Sequence, residues 1–137
     1  MISRNIKIAK WVVHFYFLDG DRDAHAHILN QVELLQADTD TMERIDKNLK
    51  TDNLDTGFTF SNPLMRESVV VVGRASSGAE FLNSYTHELR HLADDIAKEQ
   101  GYQDSGELVA YLTGDISLKV ADIVCALSCD KCRVNLG

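Results

Sequence analysis

The residues most able to do chemistry form the string His87-Glu88-Leu89-Arg90-His91, which is an HExxH motif. The surrounding pattern predicts a helix, and positions four apart on a helix lie on one face. His87 and His91 can therefore reach one metal ion, while Glu88 lies about a quarter-turn away, where a general base is needed. These residue types at this spacing predict a zinc-dependent hydrolase, and a peptidase before other hydrolases.

The helical projection of this segment separates the histidines from the core. One side carries the apolar residues Phe81, Leu82, Tyr85, Leu89, Leu92 and Ile96. His87 and His91 lie nearly opposite them, at about 100° per residue. This placement is typical either of a solvated polar face or of a cleft that holds a metal.

A catalytic zinc site takes three protein ligands and keeps one position for water. A third histidine six residues after His91 is excluded, because that position is Ala97. The remaining candidates are acidic, namely Asp94, Asp95, Glu99, Asp104, Glu107 and Asp115. Asp94 and Asp95 share the histidine helix and would have to bend back, so a ligand on the next helix is geometrically easier.

Glu107 opens that next helix, and Ala110, Tyr111 and Gly114 follow it on the same face. Two of these three residues are small, which would let the helix approach the histidine helix closely enough for a carboxylate to reach the ion. Gly114 costs roughly 1 kcal/mol relative to alanine inside a helix. Close packing of the two helices is the expected reason for that glycine.

From residue 68 to residue 118 the chain resembles the gluzincins, the HExxH zinc metallopeptidases whose third ligand is a glutamate on the following helix. The matching residues are His87, Glu88 and His91, followed by Glu107 in a Gly-Glu-Leu-Val-Ala-Tyr string. By its length the chain resembles the minimal, single-domain members. The resemblance implies that His87, His91 and Glu107 bind Zn²⁺, and that Glu88 is the general base acting on a peptide or protein substrate.

Two features depart from that resemblance. Fifteen residues separate His91 from Glu107, fewer than in the thermolysin-like and aminopeptidase groups. Those groups often have an acidic residue four positions after the glutamate, where this chain has Tyr111. Asp115 and Asp94 are therefore the two candidates for the acid that orients a ligand histidine. Tyr111 either donates its hydroxyl to a developing oxyanion or packs, and packing is the more frequent role.

The remaining sequence predicts the elements that must position these residues. We expect a long strand at 5–18, helices near 28–35 and 41–49, and short strands at 58–60 and 68–72. The four valines at 69–72 predict that the last of these strands is covered on both faces. Ser77 and Glu80 form a capping-box signature, so the active-site helix should run from about 78 to 100, where Gly101 ends it. A last helix is predicted at 105–127, with Leu108, Leu112, Ile116, Ile123 and Leu127 as its apolar positions. The expected fold is one α+β, zincin-like domain over 1–137, with a short mixed or antiparallel sheet packed on the active-site helix and the following glutamate helix.

Composition excludes several classes of function. The net charge of −7 argues against nucleic acid as a partner, because phosphate binding needs a basic face. No segment reaches membrane-spanning length, and Lys10 and His14 interrupt the apolar run that a signal peptide would need. The three cysteines, at 125, 129 and 132, do not resemble a disulfide framework, so a cytoplasmic location is expected. Their spacing fits part of a structural zinc site or, more often, a packed helix face.

The sequence leaves two further functions open. The chain could be a catalytically inactive zincin-like module that binds a protein partner, or a structural protein in which the motif is accidental. Neither the substrate nor the oligomeric state follows from the sequence.

Overall fold

The computed structural model describes residues 1–101 and 106–129 of the chain. Its elements, in chain order, are β1 (Ile2–Ile8), β2 (Trp11–Phe17), α1 (Asp23–Leu34), α2 (Thr39–Thr51), β3 (Gly57–Asn62), β4 (Glu67–Val72), α3 (Gly78–Glu99) and α4 (Gly106–Ser128). The expected α+β class is confirmed. In the described part of the chain, no helix is both long enough and apolar enough to cross a membrane.

The four strands form one mixed sheet in the order β1-β2-β4-β3. β1 and β2 are antiparallel, β2 and β4 are parallel, and β4 and β3 are antiparallel. β3 is therefore an edge strand, and it is the edge that lies next to the histidine helix.

The prediction of one long strand at 5–18 was wrong, because a hairpin turn divides this segment into β1 and β2. Ala9 and Lys10 form the turn with φ values of 51° and 64°, and Ile8 pairs with Trp11 across it. A two-residue loop with positive φ at both positions matches the right-handed twist of the strands, and it is usually built from Asn and Gly. An Ala-Lys pair carries no such signal, so the sequence pattern did not show the turn.

The sheet lies between two layers of helices. Val70 and Val72 of β4 pack in the cluster that includes the apolar sides of α3 and α4. Val69 and Val71 point to the other face and pack with α1 and α2. All four valines are buried, which confirms the expectation that this strand is covered on both faces.

Helix α3 begins and ends as the sequence predicts. The Ser77 side chain caps its first turn by accepting a hydrogen bond from the Glu80 backbone N–H at 3.1 Å. Gly101, with a φ of 84°, follows its last residues. Phe81, Leu89 and the other apolar residues of the predicted stripe are buried, except Leu82, so the orientation of α3 is set by burial of that stripe.

Helix α4 packs its predicted apolar positions on the core, and not the small-residue face of Glu107 on α3. Its buried residues are Leu112, Ile116, Val120 and Ile123. The Tyr85 hydroxyl of α3 and the Ser117 hydroxyl of α4 are 3.0 Å apart, which adds a polar contact between the two helices.

Candidate functional site

The structure brings His87 and His91 together on the outer face of α3. Both side chains are exposed, and their Nε2 atoms lie at hydrogen-bond distance, 3.2 Å apart, with one ring nitrogen donating to the other. The expectation that they lie off the core side of the helix is confirmed. Two imidazole nitrogens on one helix face, reachable from solvent, are placed where one metal ion could contact both.

The spacing of this pair fits two of the ligand positions of a zinc ion. Two nitrogens bound to tetrahedral zinc at the usual bond length lie about 3.3 Å from one another. Residues 1–101 and 106–129 contain no group of three or more His, Cys, Asp or Glu side chains placed to hold a metal. The described residues therefore bring together two imidazoles at a spacing that suits zinc, and no third ligand beside them.

Glu107 does not join the histidines in this arrangement. It is exposed in the first turn of α4, and Ala110, Gly114 and Tyr111 on the same face are exposed too, Tyr111 by 68%. The prediction that this face packs on the histidine helix was wrong, because α4 buries its larger apolar residues instead. A Cβ added to Gly114 would meet nothing within 4 Å, so close packing does not explain this glycine.

The other acidic candidates have different partners or positions. Asp94 forms an ion pair with Arg90 at 3.0 Å on the same helix. Asp95 accepts a hydrogen bond from the Ser61 hydroxyl, and Glu99 pairs with Arg66 at 3.1 Å. Asp115 is exposed on α4, and Asp104 lies outside the described residues. Neither Asp94 nor Asp115 is seen to orient a histidine.

The side chain of Glu88 contacts strand β3. The residue is only 5% exposed, and its Oε1 accepts a hydrogen bond from the Thr59 hydroxyl at 2.9 Å. Its Oε2 lies close to Gly57, where an added Cβ would come within 3.4 Å of that oxygen. The carboxylate therefore occupies a slot on β3 that a hydroxyl and a glycine create.

The side chains of β3 alternate, and those of Thr59 and Ser61 both face α3. Ser61 donates to Asp95 at 2.7 Å, and its Oγ lies 2.7 Å from that of Ser68. Trp11 donates its indole N–H to Ser68 at 2.8 Å. Since each hydroxyl has one proton, the chain of donors runs from Trp11 through Ser68 and Ser61 to Asp95. Two carboxylates of α3 thus bind hydroxyls of β3, which holds the helix against the edge strand.

Sequence reasoning missed these contacts because the partners are distant in the chain. Thr59 precedes Glu88 by 29 residues, and Ser61 precedes Asp95 by 34. The one available signal was the alternation of small polar residues with Phe58 and Phe60, which places the hydroxyls on one face of the strand.

A polar cleft of about 360 Å³ lies where α2, β3 and α3 meet. Its lining residues are Asn48, Asp55, Thr56, Gly57, Asn83, Ser84, His87 and Glu88. One member of the histidine pair and the glutamate of the motif thus border the same space, beside the open edge of β3. The lining does not include Tyr111 or Glu107.

The cysteines lie on a different element from this cleft. Cys125 of α4 is exposed, so the expected packed face does not include it, and Cys129 is half-buried. Cys132 lies outside the described residues.

Comparison of the chain with protein-family models, with curated proteins and with solved structures found no match.

Proposed function

We propose that this protein is a zinc-dependent peptidase whose centre is the cleft between β3 and α3, with the ligand arrangement that its resemblance to gluzincins implies. The observation that carries the proposal is the 3.2 Å separation of the His87 and His91 Nε2 atoms, which suits a shared ion. A zinc ion held there would supply Lewis acidity, polarising a carbonyl group and acidifying water.

Glu88 is the proposed general base. Thr59 holds one carboxylate oxygen at 2.9 Å, and the glutamate borders the cleft in which the attacking water would lie. In the proposed reaction Glu88 takes the proton of the attacking water and passes it to the leaving amine. A fixed orientation lowers the cost of organising the base at the moment of reaction.

The free edge of β3 is the proposed binding site for an extended peptide. Gly73 donates its backbone N–H to the Thr56 carbonyl at 2.7 Å, and hydrogen-bonded pairs alternate along an antiparallel ladder. The backbone groups of Gly57 and Thr59 therefore point to the free edge. A peptide added there as a further strand would pass directly beside His87 and Glu88. We place this activity in the cytoplasm, because the odd number of cysteines suits a reducing compartment.

Glu107 stays a prediction as the third zinc ligand. It does not join the histidines in the described arrangement, so binding would require the first turn of α4 to move towards them. The test is zinc affinity, measured by competition with a chromogenic chelator. Glu107→Ala should weaken binding by about tenfold or more, whereas Asp115→Asn should not. Equal affinity of wild type and Glu107→Ala would remove Glu107 from the site.

The direct test of peptidase activity uses zinc-loaded protein, a mixed peptide library and mass spectrometry of the products. Glu88→Gln should keep its zinc and lose cleavage, because the amide cannot accept the proton. Glu80→Gln makes the same charge change in the exposed first turn of α3 and should cleave like wild type. Identical products from wild type and Glu88→Gln would contradict the proposal.

The alternative function is a catalytically inactive module that binds a protein segment at the same edge. Two observations favour it: the described residues contribute no third ligand, and Glu88 contacts β3 as a structural partner would. This function predicts that peptides bind without being cleaved, and that His87→Ala does not alter their affinity.

A further inference from the structure

A second hollow adjoins the cleft and lies between β3 and helix α2. It has a volume of about 410 Å³ and is lined by Thr41, Arg44, Ile45, Asn48, Phe58, Thr59 and Phe60. We call it the α2 groove. Asn48 lines both the α2 groove and the cleft, so the two spaces meet at that residue.

The floor of the α2 groove is apolar. Phe58 and Phe60 alternate with Thr59, so their rings lie on the α2 side of the sheet, where they are partly buried with Ile45 in the core of that layer. An apolar side chain that entered the groove would contact both rings. A polar side chain there would lose water without gaining a matching partner on this floor.

The wall of the groove carries a cation. Arg44 forms no ion pair within the described residues, and neither does Lys47, which borders an adjoining hollow one turn later. Lys50 on the same helix differs, because Asp46 pairs with it at 2.8 Å. Asp38 lies near Arg44: its pKa is lowered chiefly by hydrogen bonding to Thr41 and less by the Arg44 charge, and it does not line the groove.

We propose that the α2 groove selects the segment that binds β3, taking an apolar side chain against Phe58 and Phe60 and an acidic side chain beside Arg44. Residues two apart in a strand share a face, so the two selected residues are separated by one that faces α3. The inference rests on the proposed use of the β3 edge for peptide binding. It adds a preference that the cleft alone does not supply.

The charge preference is a discriminating claim, because the chain as a whole has a net charge of −7 and would repel an acidic peptide. At physiological ionic strength charges farther than about 8 Å are largely screened. Asp38, Asp40 and Glu43 border a neighbouring hollow beside Arg44 but do not line the α2 groove. Among the described residues that line the groove Arg44 carries the charge, so its effect should be visible against the overall charge.

The test uses two fluorescein-labelled octapeptides of alternating threonine and leucine, in which one central leucine is replaced by glutamate or by lysine. Fluorescence anisotropy with the Glu88→Gln protein measures binding without cleavage. The glutamate peptide should bind about fivefold more tightly than the lysine peptide, and Arg44→Glu should reverse that order. Lys7→Glu makes the same charge change on β1, at the opposite edge of the sheet, and should leave the order unchanged.

Equal affinity of both peptides for the Glu88→Gln protein, unchanged by Arg44→Glu, would overturn the inference and leave the β3 edge as a peptide site. A change of order in Lys7→Glu as large as that in Arg44→Glu would overturn it too, because the preference would then reflect net charge. Binding of neither peptide would contradict the proposed peptide-binding function itself.

Discussion

The contact between Thr59 and Glu88 is testable by substitution, because Thr59→Val removes the hydroxyl and keeps the shape of the side chain. Glu88 is 5% exposed, and the Thr59 hydroxyl donates to its Oε1 at 2.9 Å. A hydrogen bond to a charged group contributes about 1.5–3 kcal/mol. Without its donor the buried carboxylate oxygen would have neither water nor a protein group to bond, which costs further free energy. We expect Thr59→Val to lower the free energy of unfolding by about 2 kcal/mol.

That loss can be converted into a melting temperature. The unfolding entropy of globular proteins is about 2.1 cal/mol/K per residue, or about 0.29 kcal/mol/K for this chain length. A loss of about 2 kcal/mol therefore lowers Tm by about 7 °C. Thermal unfolding followed by circular dichroism measures it, with urea unfolding as the second measurement.

Two matched variants isolate the hydroxyl. Thr59→Ser keeps the donor and should lose less than about 1 kcal/mol. In a Glu88→Gln background the acceptor is neutral, so the Thr59→Val loss should fall to about 1 kcal/mol. Stability of Thr59→Val within about 0.5 kcal/mol of wild type, or an equal loss in both backgrounds, would refute a charge-assisted bond.

Three other predictions concern backbone packing and pH. Gly57→Ala should lower the free energy of unfolding in urea by about 1–3 kcal/mol, because the added Cβ would lie 2.4 Å from a carbonyl oxygen of β4. Gly114→Ala should raise that free energy by about 0.5–1 kcal/mol, because the added Cβ would meet nothing within 4 Å. Burial raises the pKa of Tyr85, so its contribution to stability is present below pH 10 and is lost as pH rises through the folded-state pKa; Tyr85→Phe should flatten the alkaline limb of a stability profile. A hydrogen bond from Arg4 lowers the pKa of Asp122, so that contribution is lost as pH falls through the folded-state pKa, and Asp122→Asn should flatten the acid limb. A larger loss for Gly114→Ala than for Gly57→Ala, or unchanged limbs in the pH profiles, would contradict these assignments.

The elements most predictable from sequence were those with a strong local signal. Helix α3 has an apolar stripe, a serine cap and a terminal glycine, and all three act as expected. The four valines of β4 gave a strand buried on both faces. The Ala9-Lys10 turn has no composition signal, so β1 and β2 were predicted as one strand.

The candidate site was predictable only where its residues share one helix. His87 and His91 are related by helical geometry alone, so their proximity follows from the sequence. The packing of α4 depends on which of its faces buries more apolar surface. The face with Leu112 and Ile116 is buried, and the face with the small residues near Glu107 is not. The contact of Glu88 with Thr59 depends on sheet order, which a local pattern does not contain.

The most direct test of the central claim is the zinc content of protein purified without added metal, equilibrated with a slight excess of zinc and then desalted to remove unbound metal. We predict about one zinc per chain, lost in His87→Ala and in His91→Ala and retained in His25→Ala, which removes a histidine on α1. Zinc that stays bound in both alanine variants, or wild-type protein that takes up none, would contradict the claim that this pair holds a metal.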